Sequence, residues 1–191
     1  MSFSEALGQG NKILPQYIDN TGIIIPITQV SSLQTNLNLL NLELEAVTNK
    51  QHFAEFYALM PPDNAVAVAV GDSIDFPRDG LFFGDSIERS GSSDFEFLLK
   101  AIGTYKITFQ ASIAQAGQLG ILLNGALVTK SIVGKASTGG QLFCSCLVNS
   151  TVVDSTLSIV NPLGNVGSLT LTVSAGGASA VSANLLIERL F

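Results

Sequence analysis

Few side chains in this sequence are of a type and spacing that could do chemistry. The lone histidine, His52, stands between Gln51 and Phe53. A catalytic imidazole works on a nucleophile and is itself oriented by a third group. No nucleophile motif accompanies His52, so it reads as a solvated linker residue. The two cysteines, Cys144 and Cys146, stand two apart in Leu142-Phe-Cys-Ser-Cys-Leu-Val148. On a strand, residues two apart share a face. Their Cα atoms would then lie roughly 6.5–7 Å apart with parallel Cβ vectors, which is poor geometry for a mutual disulfide. They read as two small apolar side chains on a packed strand, or as an intermolecular crosslink if that strand faces another subunit. A zinc site would need further Cys or His ligands.

Asp63, Asp72, Asp75, Asp79, Asp85, Asp94 and Glu96 crowd a loop-rich stretch. Asp72-Ser-Ile-Asp75 and Asp79-Gly80 offer oxygen ligands for Ca²⁺, but their spacing matches no calcium loop. Solvated turn residues are the expectation there. Gly117-Gln-Leu-Gly120 and the glycines from Gly134 to Gly140 do not open a helix with a following Lys-Ser/Thr, as a phosphate cradle does. The expectation is therefore no catalytic residue, no cofactor, no metal, and no enzyme.

The elements that would position such residues point to assembly instead. Apolar residues fall at Val30, Leu33, Leu37, Leu40, Leu44 and Val47. This alternation of threes and fours is the a/d pattern of a coiled coil. A helix of this length is marginal alone, so the seam predicts partner chains. Leu39 and Leu42 lie off the seam, and the wider apolar surface suits a trimer or packing under another domain. Asn36, Asn38, Asn41 and Asn49 weaken the helix. The expected organisation is an extended arm over 1–29, a short coiled-coil helix over 30–50 and a β domain over 53–191.

Within the arm, Gly22-Ile-Ile-Ile-Pro-Ile27 is a short β-prone run that Pro26 keeps out of a central strand position. Two readings stay open. Ile23, Ile24, Ile25 and Ile27 are a sticky patch on a loose terminus, or they dock on a neighbouring molecule by strand addition or in a groove. From Phe53 onward, strands are expected at Ala54–Met60, Phe95–Leu99, Thr104–Ala114, Gln118–Leu123, Ala126–Val133, Gln141–Val148, Thr156–Val160, Ser168–Val173 and Ala180–Leu190. Asn124-Gly125 signals a type I′ hairpin. Short strands with regularly spaced turns predict an all-β sandwich or jelly roll. Alternation in Tyr105, Ile107 and Phe109 places these three in a core, inside the sandwich or along a trimer axis.

Charged residues make up 13% of the chain against 47% hydrophobic, with a net charge of −6. So little charge favours burial between subunits. The basic residues are scattered, which excludes a nucleic-acid surface. No stretch is long enough to span a membrane. The first residues lack the basic start and apolar core of a secretory signal, so delivery by lysis of the producing cell is expected.

Several pieces resemble a known family in one order. They are Phe95-Glu-Phe-Leu-Leu-Lys-Ala-Ile-Gly-Thr-Tyr-Lys-Ile-Thr-Phe-Gln110, Leu122-Leu-Asn-Gly125, Val133-Gly-Lys-Ala136, Leu157-Ser-Ile-Val-Asn-Pro162, Leu169-Thr-Leu-Thr172, Ala175-Gly-Gly177 and the ending from Val181 to Leu190. From about residue 54 to the end, the chain resembles the C-terminal domain of BclA-type collagen-like proteins of the exosporium. Those belong with the trimeric jelly rolls of tumour necrosis factor and the complement component one q head. The resemblance implies a ten-stranded jelly roll, a tight homotrimer and a place on a spore, cell or virion surface, with exosporium anchoring proteins as possible partners. The family's collagen stalk is absent here, and the heptads stand in its place. Two functions follow as expectations. One is a structural subunit whose trimers join through their arms into a spore-surface fibre or appendage. The alternative is a trimeric receptor- or glycan-binding head on a spore or virion.

Overall fold

A computed structural model describes residues 16–18, 21–22, 24–48, 52–172 and 180–191. The chain divides into two units, Met1–Thr48 and Asn49–Phe191. In the first, β1 (Gln16–Ile18) and β2 (Ile24–Pro26) form an antiparallel ribbon with Tyr17 opposite Ile25. Pro26 has no N–H to donate, which suits the last residue of a strand. The helix α1 (Ile27–Thr48) starts directly after it, so residues 27–29 are helical.

The second unit holds β3 (His52–Met60), β4 (Arg78–Phe83), β5 (Ile87–Arg89), β6 (Phe97–Leu99), β7 (Gly103–Ile113), β8 (Gly117–Leu123), β9 (Ala126–Leu127), β10 (Val133–Lys135), β11 (Gly140–Ser150), β12 (Ser155–Val160) and β13 (Ala180–Arg189). They form two antiparallel sheets, ordered β11-β7-β13-β3-β4 and β10-β8-β12-β6-β5, with the two-residue β9 beside β8. This is an all-β jelly-roll sandwich of ten strands plus β9.

The segments 78–83 and 87–89 are strands although neither shows a clean two-residue alternation. Conversely, the described part of the run from Ser168 contributes only isolated bridges, Leu169 to Val68 and Leu171 to Ile113. Val173 lies outside the described residues. At the β8–β9 turn, Asn124 and Gly125 have φ of 50° and 76°, the left-handed pair that a type I′ hairpin requires.

The core lies between the sheets. Cross-strand registers align Cys144, Phe109, Leu185 and Phe56 in one row and Leu142, Ala111, Ala183 and Ala58 in the next. From the second sheet, Phe97, Leu99, Ile121, Leu157 and Ile159 are all buried in the same core, with the Phe97 ring 4.2 Å from that of Phe56. Tyr105, Ile107 and Phe109 are fully buried inside the sandwich, and the Tyr105 hydroxyl donates to the Ala101 carbonyl at 2.8 Å.

Candidate self-assembly surfaces

The heptad residues lie on α1. Val30 is half-buried, whereas Leu33, Leu37, Leu40 and Leu44 are between 51 and 63% exposed. Val47 is on the helix, and its side chain lies outside what the structure describes. At about 100° per residue, Leu39 and Leu42 sit on the face opposite the seam, and they are also exposed. The polar residues flanking the seam are mostly amides, including Gln34, which donates to Asn38 at 3.3 Å. The described part of the seam is therefore flanked by few charges.

Of the arm isoleucines, Ile24 and Ile25 lie in β2, paired with Ile18 and Tyr17. Ile27 opens α1. Ile23 lies outside the described residues.

On the outer face of the β11-β7-β13-β3-β4 sheet, register sets the composition row by row. Phe143 aligns with Gln110, Asn184 and Tyr57, and Leu147 aligns with Lys106, Glu188, Phe53 and Phe83. The centre of this face is polar and internally paired. Lys106 bonds Glu188 at 2.8 Å, Asn184 bonds Glu55 at 2.8 Å, and Thr108 and Ser145 share a bond of 3.1 Å. Its two edges are apolar. On β11, Phe143 and Leu147 are 59% and 46% exposed. On β4, Leu81 and Phe83 are 76% and 56% exposed, and Phe83 stacks on Phe53 with ring centroids 6.4 Å apart; Phe82, opposite the core residue Ala54, lies on the other face of the strand.

The residues that first suggested chemistry have structural partners. His52 is buried rather than solvated, only 8% exposed, as the first residue of β3. Its Nδ1 accepts the backbone N–H groups of Ser86 at 3.1 Å and Asp85 at 3.3 Å. Cys144 and Cys146 are free thiols turned toward the core. Burial, with Cys146 beside it, pushes the Cys144 thiol up to about 12; a protonated thiol is a poor nucleophile.

Asp63 takes part in an ion pair with Arg78 at 2.7 Å and also accepts the Leu59 N–H at 2.8 Å. Burial alone would raise its carboxyl, but the bonds from Arg78 and Leu59 outweigh burial and hold it below the usual range. Asp75 is raised by burial, and further by Asp94 and Asp63. Among the described residues, no group of three His, Cys, Asp or Glu side chains could hold a metal, and no helix is long and apolar enough to cross a membrane.

The described residues also form two concavities. One, of about 200 Å³, lies between β4 and β5 over Ala54, Phe56, Phe82, Ile87 and Arg89. The other, of about 440 Å³, is lined by Gly117, Gln118, Gly134, Lys135, Ala136, Gly164, Asn165 and Val166. It brings together glycine stretches that sequence patterns alone left without a role.

No family model matches the sequence, and no curated protein does. Among solved structures, the globular domain of the zebrafish complement 1qA protein is similar at 12% identity and a TM-score of 0.47, over 73% of this chain and 98% of that one. Murine APRIL at pH 5.0 is similar at 8% identity and a TM-score of 0.47, over 73% of this chain and 99% of that one. The Eiger TNF of S. frugiperda is similar at 10% identity and a TM-score of 0.44, over 74% of this chain and 94% of that one.

Proposed function

We propose that this chain is a non-enzymatic structural subunit. It assembles as a homotrimer and joins further trimers through its N-terminal arms into a surface fibre or appendage. The observation that carries the trimer is the pair of apolar patches at opposite edges of one sheet face, Phe143 with Leu147 and Leu81 with Phe83. Two different patches on one subunit favour a heterologous contact, patch to opposite patch, and such contacts close into a ring when the rotation permits. The exposed leucine seam of α1 supports the same state, because three such helices bury what one leaves in water.

The arm reading rests on the extended β2 strand of isoleucines ahead of the helix. Three arms presented together strengthen a weak docking site. A spore surface as the place of assembly is supported by the resemblance of residues 54–191 to exosporium collagen-like heads. A trimeric receptor- or glycan-binding head is the second reading, favoured by the open concavity lined by Gln118 and Asn165.

Mass measurement and electron microscopy of the full chain test the proposal together. Trimers that grow into filaments are expected, and Ile24→Asp with Ile25→Asp should leave single soluble trimers. A monomeric or dimeric wild type overturns the trimer. Filaments that survive the double substitution, or a wild type that never forms them, overturn the arm.

A further inference from the structure

We propose that one end of the sandwich, the tip formed by the loops 61–72 and 161–167, is the acceptor on which the isoleucine strand β2 of a second trimer docks. This rests on the arm reading above and names the surface that the arm meets.

The two loops follow Met60 and Val160, the last residues of β3 and β12, and hydrogen bonds tie them into one structure. The Gly71 N–H donates to the Asn161 carbonyl and the Asn161 N–H to the Asp72 carbonyl, both at 2.8 Å. The fully buried side chain of Asn161 donates to the carbonyls of Val68 at 3.0 Å and Gly167 at 3.2 Å. Asn64 clasps the backbone of Asp75, donating to its carbonyl at 2.8 Å and accepting its N–H at 3.0 Å. A surface fixed in this way loses little ordering entropy when a partner arrives.

The tip is apolar and uncharged. Among the described residues, the three most exposed large hydrophobic side chains all stand on it: Val166, Leu163 and Val66, at 102, 84 and 81%. Leu163 reaches across to Gly71, where an added Cβ would lie 3.3 Å from its methyl, so apolar groups of both loops adjoin. No charged residue occurs in 64–71 or in 161–167. Exposed apolar side chains gathered in one place mark a contact surface. Ala67 is exposed and makes no backbone hydrogen bond among the described residues, so its N–H and C=O are open to an extended chain laid over the tip.

Three features of the chain point to its own arm as the occupant. Residues 20–27 carry no charge, which matches a surface with no charge to pair. Strand β2 has a partner on one side only, β1, so it keeps an open edge of its own. The polypeptide enters the head at His52, the first residue of β3, and about 26 Å of extended strand separates that end from Met60. Arm and tip therefore belong to opposite ends of the head. A contact between them is heterologous and joins heads in line, as a fibre requires.

Electron microscopy and sedimentation of full-length chains test this with two variants. The tip variant carries Val66→Asp and Leu163→Asp, both at exposed positions. The arm variant carries Ile24→Asp and Ile25→Asp. Each should stay a trimer, and neither should form filaments alone. When they are mixed, the intact arms of the first can dock on the intact tips of the second. No further joint is then possible, so the mixture should give complexes of two trimers. Filaments of the tip variant overturn the site and leave the arm reading standing, whereas a wild type without filaments overturns both. A mixture that stays as single trimers overturns the joint between arm and tip. An arm variant that pairs with itself overturns it in favour of a contact between two tips. Wild-type binding to phosphatidylcholine vesicles that the tip variant loses, with filaments unchanged, gives the tip to a lipid surface instead.

Discussion

The guanidinium of Arg89 lies 5.1 Å from the centre of the Phe56 ring, at the open side of the sandwich where the edge strands β4 and β5 face each other. It also lies 5.4 Å from the Phe97 ring, and these two rings pack with centroids 4.2 Å apart. Its outer nitrogens donate to Asp79 at 2.6 Å and to the Ser93 carbonyl at 3.1 Å. A side chain only 16% exposed thus covers the aromatic end of the core with its flat face and keeps its polar rim satisfied.

Arg89→Ala should therefore cost about 2 kcal/mol, from lost cation–π contact and lost packing of the stem. Arg89→Lys should recover only part of this, because an ammonium cannot lie flat on two rings and fork to two acceptors. Asp79→Ala should cost less than about 1 kcal/mol, since that carboxylate is mostly in water. Urea unfolding of the three variants checks the order, and Asp79→Ala costing more than Arg89→Ala would refute it.

His52 makes a second prediction. His52→Ala leaves the buried Ser86 N–H without an acceptor and should cost about 2–3 kcal/mol. His52→Asn, whose Oδ1 stands near the place of Nδ1, should recover at least half. Gly84 has φ of +81°, and a Cβ there would lie 2.5 Å from the His52 ring. Gly84→Ala should thus be less damaging in the His52→Ala background than alone. That non-additivity is the readout, and strictly additive costs would show that the ring does not hold this corner.

Legibility in sequence differed by element, for physical reasons. The long strands β7 and β13 were readable because one buried face imposes a period on the side chains, and α1 because its apolar residues recur in threes and fours. Strand β4 was not, because Leu81, Phe82 and Phe83 are consecutive and all exposed, so no alternation marks a face. The role of His52 was unreadable because its partners, the amides of Asp85 and Ser86, stand 33 and 34 residues away and are backbone groups. The concavity around Gly117 and Gly134 shares that difficulty, since the fold alone brings its segments together.

Two aspartates should move stability in opposite directions with pH. Asp75 is raised by burial, then by Asp94 and Asp63. Its folded form holds a proton more tightly than the unfolded chain, so its contribution is full below the unfolded value and is lost as pH rises through the folded one. Asp75→Asn should therefore stabilise at neutral pH, by under about 1 kcal/mol for a partly exposed group, and the gain should vanish in acid. The bonds from Asn64 reach the Asp75 backbone, not its carboxylate, so they survive the substitution. Asp63 is lowered, and its contribution is present above the unfolded value and lost as pH falls through the folded one. Asp63→Asn should cost about 1–2 kcal/mol at neutral pH and almost nothing in strong acid. Unfolding midpoints measured from neutral to acid pH check both signs, and parallel profiles for the two variants would contradict them.

The ring arrangement of heads has a sharper test than mass alone. With Leu37→Lys and Leu40→Lys placed in every chain, charges on the seam prevent the helices from holding subunits together, so only head contacts remain. Phe83→Asp then spoils the β4 patch and keeps Phe143 and Leu147 intact. Leu147→Asp does the reverse. In a heterologous ring every contact needs one patch of each kind, so neither variant should associate alone. Mixed together, they can form one good contact per pair, between the β11 patch of the first and the β4 patch of the second. The mixture should therefore give dimers and no trimers, while the chain with both patches intact gives trimers. In a twofold arrangement in which each patch meets its own copy, Phe83→Asp would still dimerise through Phe143 and Leu147. Sedimentation of each variant and of their mixture separates the two outcomes. A dimer of Phe83→Asp alone would exclude the ring.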